Sequence, residues 1–343
     1  MNADDIKIDM EHSKIIQSIQ AGQLAPIYFL HGEESYFIDI VSDYIEDNVL
    51  DEASKAFNQI VLYGKETEFK QVLDQAMQFP MMASHRVVIV KEAQSMKGFE
   101  NLLSYFQNPS EQTVLVIAHK HKSFDKRKKK VWDAIKKNAV ILESKKLYDN
   151  QIPNYIISIA EENKLQISNK TAFILAEHLG NDLSKITNEI NKLKLNLPEG
   201  SEVTLDHVQK HIGISKDYNV FEFQKAIGEK NKLKAYSIAR YFAENKKAHP
   251  IQMNMGSLYN YLSKLFIAKK YEKSDDRTFA QKAKINPYFA KEYKSAARHY
   301  TMPQIARAFA SLHKMDKASK GVETRRIDDL ALYQEFLFQL FED

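Results

Sequence analysis

An apolar run, Pro26-Ile27-Tyr28-Phe29-Leu30, ends in His31-Gly32-Glu33-Glu34, where a phosphate-binding loop would begin in a strand–loop–helix unit. Such a loop needs G-x-x-x-x-G-K-[ST], because backbone amides must wrap the phosphates and a lysine must reach them. Counted from Gly32, the second glycine falls on Phe37, the lysine on Ile38 and the hydroxyl on Asp39. Glu33 and Glu34 add negative charge on the path a phosphate would take. Further along, the strand-like run 87–90 ends in Lys91-Glu92. A nucleotide hydrolase of this build ends that strand in Asp-Glu, whose carboxylates help hold magnesium. Here Lys91 replaces the Walker B aspartate, and Glu92 reads as a helix N-terminal acid. The expectation is no catalytic residue, no metal, no cofactor and no ATP turnover.

Other catalytic chemistry fares no better. The chain has no cysteine, which removes disulfides, thiolate zinc sites and cysteine nucleophiles. The histidines, among them His85, His119, His121, His178, His249 and His313, show no H-E-x-x-H spacing, and no G-x-S-x-G elbow is present. They read as surface or packing residues.

Two further stretches carry binding potential. Phe79-Pro80-Met81-Met82 stands before a polar corner, Ser84-His85-Arg86, and the strand at 87–90. Methionines beside a strand suit a core, whereas on a corner that Pro80 keeps from being helical they suit an adaptable protein-binding surface. Spacing leaves this pair of readings open. The run 120–130, KHKSFDKRKKK, is the densest basic segment. It could contact phosphates, but no aromatic platform for bases is interleaved, and a solvated loop leading into a helix over 126–137 is the preferred reading.

The elements that position these residues follow from periodicity. Helical spacing marks 14–20, 36–49, 68–77 and 99–106, and strand-like runs mark 26–30, 58–63, 87–90, 114–118 and 139–143. Strands alternating with helices predict a parallel α/β sheet. Beyond Leu147 only successive helices are legible, punctuated at Gly180, Pro198-Glu199-Gly200 and Gly213. Boundaries near Lys145 and Gly213 predict an α/β domain over 1–145, a small helical domain over 146–213 and a larger helical domain over 214–343. The net charge of +4 conceals an asymmetry, since residues 213–343 hold 24 Lys/Arg against 15 Asp/Glu. That surplus suits either a nucleic-acid-facing surface or an ordinary lysine-rich helical one. The acidic start, MNADDIKIDMEHSK, lacks signal-peptide character, and no apolar stretch approaches a bilayer span, so a cytoplasmic protein is expected.

Several segments, in order from about residue 24 to 340, resemble the delta subunit of the bacterial DNA polymerase III clamp loader. Residues 26–34 are similar to its first strand and degenerate loop, and 79–90 to its proline, two apolar residues, small-polar-basic corner and strand. Phe124-Asp125-Lys126-Arg127-Lys128-Lys129 is similar to the basic stretch after its fourth strand. Gly180-Asn181-Asp182-Leu183, with Ile186, Glu189, Ile190 and Lys192-Leu193, resembles its second-domain helix. Val220-Phe221-Glu222-Phe223 through Ala226-Ile227-Gly228 resembles the start of its third domain, and 283–288 and 308–320 resemble later parts.

The resemblance implies an AAA+-like α/β domain with a degenerate P-loop, a small helical lid and an all-α collar. It implies a non-catalytic subunit, grouped with DNA-directed DNA polymerase as part of a hetero-oligomeric holoenzyme in DNA replication. Such a subunit binds the sliding clamp and opens its ring for loading onto primed DNA. Its partners would be the clamp, the other loader subunits through the collar, and primer–template DNA in the assembled complex, with no membrane. By position, Met81 and Met82, with Phe79 beside them, take the place of the clamp-inserting residues; family members often carry aromatic or leucine side chains there. Gly32, Phe37, Ile38, Asp39, Lys91 and Glu92 fall at the degenerate nucleotide site, and no DNA-contacting residue is assigned. An AAA+ ATPase with an atypical loop and a free-standing DNA-binding protein are the alternatives.

Overall fold

The computed structural model describes residues 11–322 and 328–342; the acidic leader before Glu11 lies outside them. The chain divides into two compact units at the step from Leu147 to Tyr148.

The first unit is built on five strands, β1 (Ile27–Gly32), β2 (Gln59–Tyr63), β3 (Arg86–Lys91), β4 (Thr113–His119) and β5 (Val140–Ser144). They run parallel in the order β2-β3-β4-β1-β5. Parallel pairing forces each connection to cross a face of the sheet, so both faces are covered and the central strands are apolar throughout. Alternation then sorts the side chains. Ile27, Phe29, Val88, Val90, Leu115 and Ile117 join one core with Val72 and Ala76 of helix Phe69–Ala76 and Val131, Ala134 and Ile135 of helix Lys129–Asn138. Helix Ser35–Asn48 packs on β1, β3, β4 and β5, burying Phe37, Ile38, Val41 and Ile45.

Some expectations need correction. Helix Glu52–Asn58 was not legible; it is seven residues long and opens on Asp51, whose carboxylate accepts from the Ser54 N–H at 2.7 Å. The helix expected from 126 begins at Lys129, because Asp125 and the buried Phe124 hold the preceding residues in a loop. The segment from Phe99 opens as a 3-10 turn, Phe99–Leu102, before helix Leu103–Gln107. Glu92 precedes only a short 3-10 turn, Ala93–Ser95, in a left-handed conformation (φ 53°), and its side chain caps nothing there.

The second unit is helical, with one exception. Two-residue strands β6 (Gln166–Ile167) and β7 (Glu202–Val203) pair in parallel, although no strand was expected beyond Leu147. Helices Ile152–Glu162, Asn169–Leu179 and Leu183–Asn196 pack together beside this ribbon. Further on, the 20-residue helix Ile251–Lys270 packs against Ala290–Arg298 and Met302–Ser319, and the latter against Asp329–Phe341. Capping fits the sequence. Asp182 accepts from Lys185 N–H at 3.0 Å, and Thr301 with Gln304 forms a capping box. No helix among the described residues is long and apolar enough to cross a membrane.

Candidate functional site

The loop after β1 is occupied by its own chain. Gly32 is the last residue of β1 and lies beside Ser144 of β5. The Glu34 N–H donates to Ser144 O at 3.3 Å, and the Ser144 hydroxyl returns a bond to Glu34 O at 2.7 Å. The Glu34 carboxylate accepts from Tyr36 N–H at 3.0 Å, capping helix Ser35–Asn48. A helix N-terminus attracts an anion through its unpaired N–H groups and its dipole. Here one of those donors is taken by an anion the chain supplies itself.

The neighbouring positions are committed as well. Phe37 and Ile38, which fall where a glycine and a lysine would be needed, are core residues, and the Phe37 ring stacks on His12 at 4.6 Å. Asp39 is ion-paired with Lys120. Lys91, at the end of β3, turns to helix Ser35–Asn48 and pairs with Glu46 at 2.7 Å and Asp43 at 3.0 Å. Burial alone would lower the Lys91 pKa, but the hydrogen bonds it donates to Glu46 and Asp43 outweigh it and hold the ammonium above its ordinary range. A cation thus stands, neutralised by two carboxylates, at the strand end where a metal-binding aspartate would be required.

The basic run is largely satisfied internally. Lys126 pairs with Glu143 at 2.9 Å, Lys128 with Glu100, and Arg127 with Asp125 at 2.9 Å, which draws the Asp125 carboxyl down to about 2. Phe124 is buried, and its N–H donates to Nδ1 of the buried His31 at 3.2 Å. Burial lowers the His31 pKa to about 4, so the ring is neutral and able to accept.

The apolar corner differs in kind. Phe79 is 81 %, Met81 62 % and Met82 106 % exposed, while β3 immediately after is buried. Phe57, Tyr63 and Met77 are further large apolar side chains left in solvent within this stretch of the chain. Two buried polar side chains that were missed or misread hold the corner. Asn58, fully buried, accepts from Met81 N–H at 2.6 Å and donates to Met81 O at 2.9 Å and Ser54 O at 3.1 Å. Arg86, read from sequence as part of the polar corner, points inward. It donates to Phe57 O at 3.1 Å, Gln75 O at 2.9 Å and the Gln75 side chain. Those carbonyls lie in the last turns of helices Glu52–Asn58 and Phe69–Ala76, where a cation is favoured. Met82 then adopts a left-handed conformation, φ 55°, that costs a non-glycine residue about 1–2 kcal/mol.

Five parallel strands in this order, a self-occupied loop after β1 and a following helical unit define the AAA+-like class expected from the sequence. Comparison with known proteins narrows the class. The family described as "DNA polymerase III, delta subunit" matches residues 28–145, and "DNA polymerase III delta subunit, C-terminal domain" matches residues 217–340. The chain is 27% identical over 339 residues to DNA polymerase III subunit delta of Bacillus subtilis, covering 95% of this chain and 96% of that protein. It is 23% identical over 308 residues to a probable DNA polymerase III subunit delta of Aquifex aeolicus, covering 86% of each. A solved Bacillus subtilis DNA clamp loader delta protein aligns with a TM-score of 0.58 at 26% identity, covering 96% of this chain and 99% of that one. The chain belongs to the DNA polymerase III delta subunit family, and its role is that of a clamp-loader delta subunit in DNA replication.

Proposed function

We propose that this subunit grips the sliding clamp through Phe79, Met81 and Met82 and opens its ring for loading onto primed DNA. The carrying observation is the corner itself: three large apolar side chains held in solvent on a backbone fixed by buried hydrogen bonds. Monomeric surfaces rarely concentrate apolar residues in this way without a partner, and a few such anchors can dominate an interface.

The mechanism is differential binding. A wedge that fits an open clamp better than a closed one shifts the ring's equilibrium by its difference in affinity. Moving a ring from 1:99 to 99:1 needs about 5.5 kcal/mol. Burying two methionines supplies about 1.5–3 kcal/mol each, and only the share gained on the open ring and not on the closed one counts toward that shift. Timing belongs to neighbouring subunits, since Gly32, Phe37, Ile38, Asp39, Lys91 and Glu92 offer no nucleotide switch.

In this reading residues 1–145 carry the clamp contact, 146–213 form the lid and 214–343 the collar that joins the other subunits. Exposed Leu233, Tyr259, Phe266 and Phe338 on helices of the last segment suit such contacts. The positive surplus of 213–343 suits primer–template DNA in the assembled loader. The purified chain is expected to bind the clamp equally well with and without ATP and magnesium, measured by equilibrium titration. Micromolar binding of labelled ATP with turnover would favour the ATPase reading instead.

A further inference from the structure

Asn58 makes three hydrogen bonds from a fully buried position at the end of helix Glu52–Asn58, and two of them hold a single backbone unit 23 residues away. Its Oδ1 takes the Met81 N–H and its Nδ2 gives to the Met81 C=O, so the side chain pairs with Met81 as a neighbouring strand would. The third bond, to Ser54 O, fixes the amide plane on its own helix. Residues 81–84 have no regular secondary structure, and Met82 sits at positive φ. Left-handed residues persist where the surroundings over-determine them. The Asn58 pairing holds the Met81 backbone immediately before the left-handed residue.

We propose that Asn58 is a positioning residue for the clamp contact: it pre-organises the corner so that Met81 and Met82 are displayed before the partner arrives. The inference rests on the clamp-binding reading of those methionines. Ordering a flexible segment at the moment of binding costs affinity, and a side chain that orders it beforehand removes that cost. Arg86 supports the same frame by joining the C-terminal turns of the helices on either side, but it touches neither methionine's backbone.

The test is clamp affinity of the full chain carrying Asn58→Ala, Asn58→Asp, or Met81→Ala with Met82→Ala, together with hydrogen exchange at the Met81 amide. Asn58→Ala is expected to weaken binding about tenfold and to speed exchange at Met81. Asn58→Asp keeps the acceptor for the Met81 N–H but sets a buried carboxylate oxygen against the Ser54 and Met81 carbonyls, so it should weaken binding at least as much as Asn58→Ala. Added to the double methionine variant, Asn58→Ala should weaken binding no further, whereas a general structural role would weaken it again. If Asn58→Ala fails to fold, rapid exchange at the Met81 amide of the unsubstituted chain, at the rate of an unprotected amide, overturns the proposal. Wild-type affinity in Asn58→Ala, alongside loss in the methionine variant, overturns it while leaving the clamp reading intact. Wild-type affinity in the methionine variant removes the clamp reading, and this proposal falls with it.

Discussion

Replacing Met81 and Met82 together with alanine will weaken clamp binding on the order of 100-fold, since each truncation forfeits about 1.5 kcal/mol of apolar burial and each 1.4 kcal/mol is tenfold in affinity. Stability will hardly move. Both side chains are solvent-exposed in the isolated chain, and exposed substitutions typically fall within about 0.5 kcal/mol. The unfolding midpoint should therefore stay within about 2 °C. Met82→Gly separates display from folding more sharply. Relief of the left-handed backbone contributes about 1–2 kcal/mol, and glycine's larger unfolded-state entropy takes back about 0.5–1. That variant should be as stable as the parent or slightly more so, yet bind the clamp poorly. A residue whose removal helps folding and harms binding is there for the partner. Loss of stability in either variant would instead make these methionines core residues.

The second large effect concerns Gly32. A Cβ added there would lie 1.8 Å from Ser144 O and 2.5 Å from Ser144 C, both backbone atoms of β5. No rotamer relieves such a clash, so β1 and β5 must part at this end and the Glu34–Ser144 bonds go with them. Gly32→Ala is expected to cost about 3 kcal/mol or more, the upper end of overpacking penalties. Urea unfolding with an unchanged slope would register it. Gly22→Ala is the control: it also has positive φ (77°) but meets nothing within 4 Å, so only the left-handed penalty of about 1 kcal/mol applies. A glycine retained for phosphate approach would tolerate alanine with little loss of stability in the nucleotide-free chain. A near-neutral Gly32→Ala would therefore contradict the structural role assigned to it.

These two sites differ in how far the sequence discloses them. The sheet was legible because its strands are continuous apolar runs bounded by turns, and the misfit of Phe37, Ile38 and Asp39 to a phosphate loop needed only counting. The partners that explain the misfit were not legible. Asp39 meets Lys120 across 81 positions, and Lys91 reaches back to Asp43 and Glu46, contacts set by the sheet order rather than by spacing. Arg86 reads as a basic surface corner beside Ser84 and His85, and only the fold shows it turned onto two helix ends. Asn58 carries no local signal, since it reads as the first residue of the strand at 58–63, whereas it ends helix Glu52–Asn58 and the strand begins at Gln59. The pair β6 and β7 is too short for alternation to register, and helix Glu52–Asn58 spans only about two turns, too few for its period to stand out. Whether Met81 and Met82 face core or solvent was open from spacing, and their exposure decides that point.

The most direct test of the central claim is clamp unloading from closed circular DNA by the purified chain in the absence of nucleotide. Clamp retained on the circle is measured against time for the unsubstituted chain and for Met81→Ala with Met82→Ala. The unsubstituted chain is expected to strip the clamp, and the double variant to leave it in place at the spontaneous rate. Equal rates for the two chains, or unloading that requires ATP bound to this chain, would contradict the central claim.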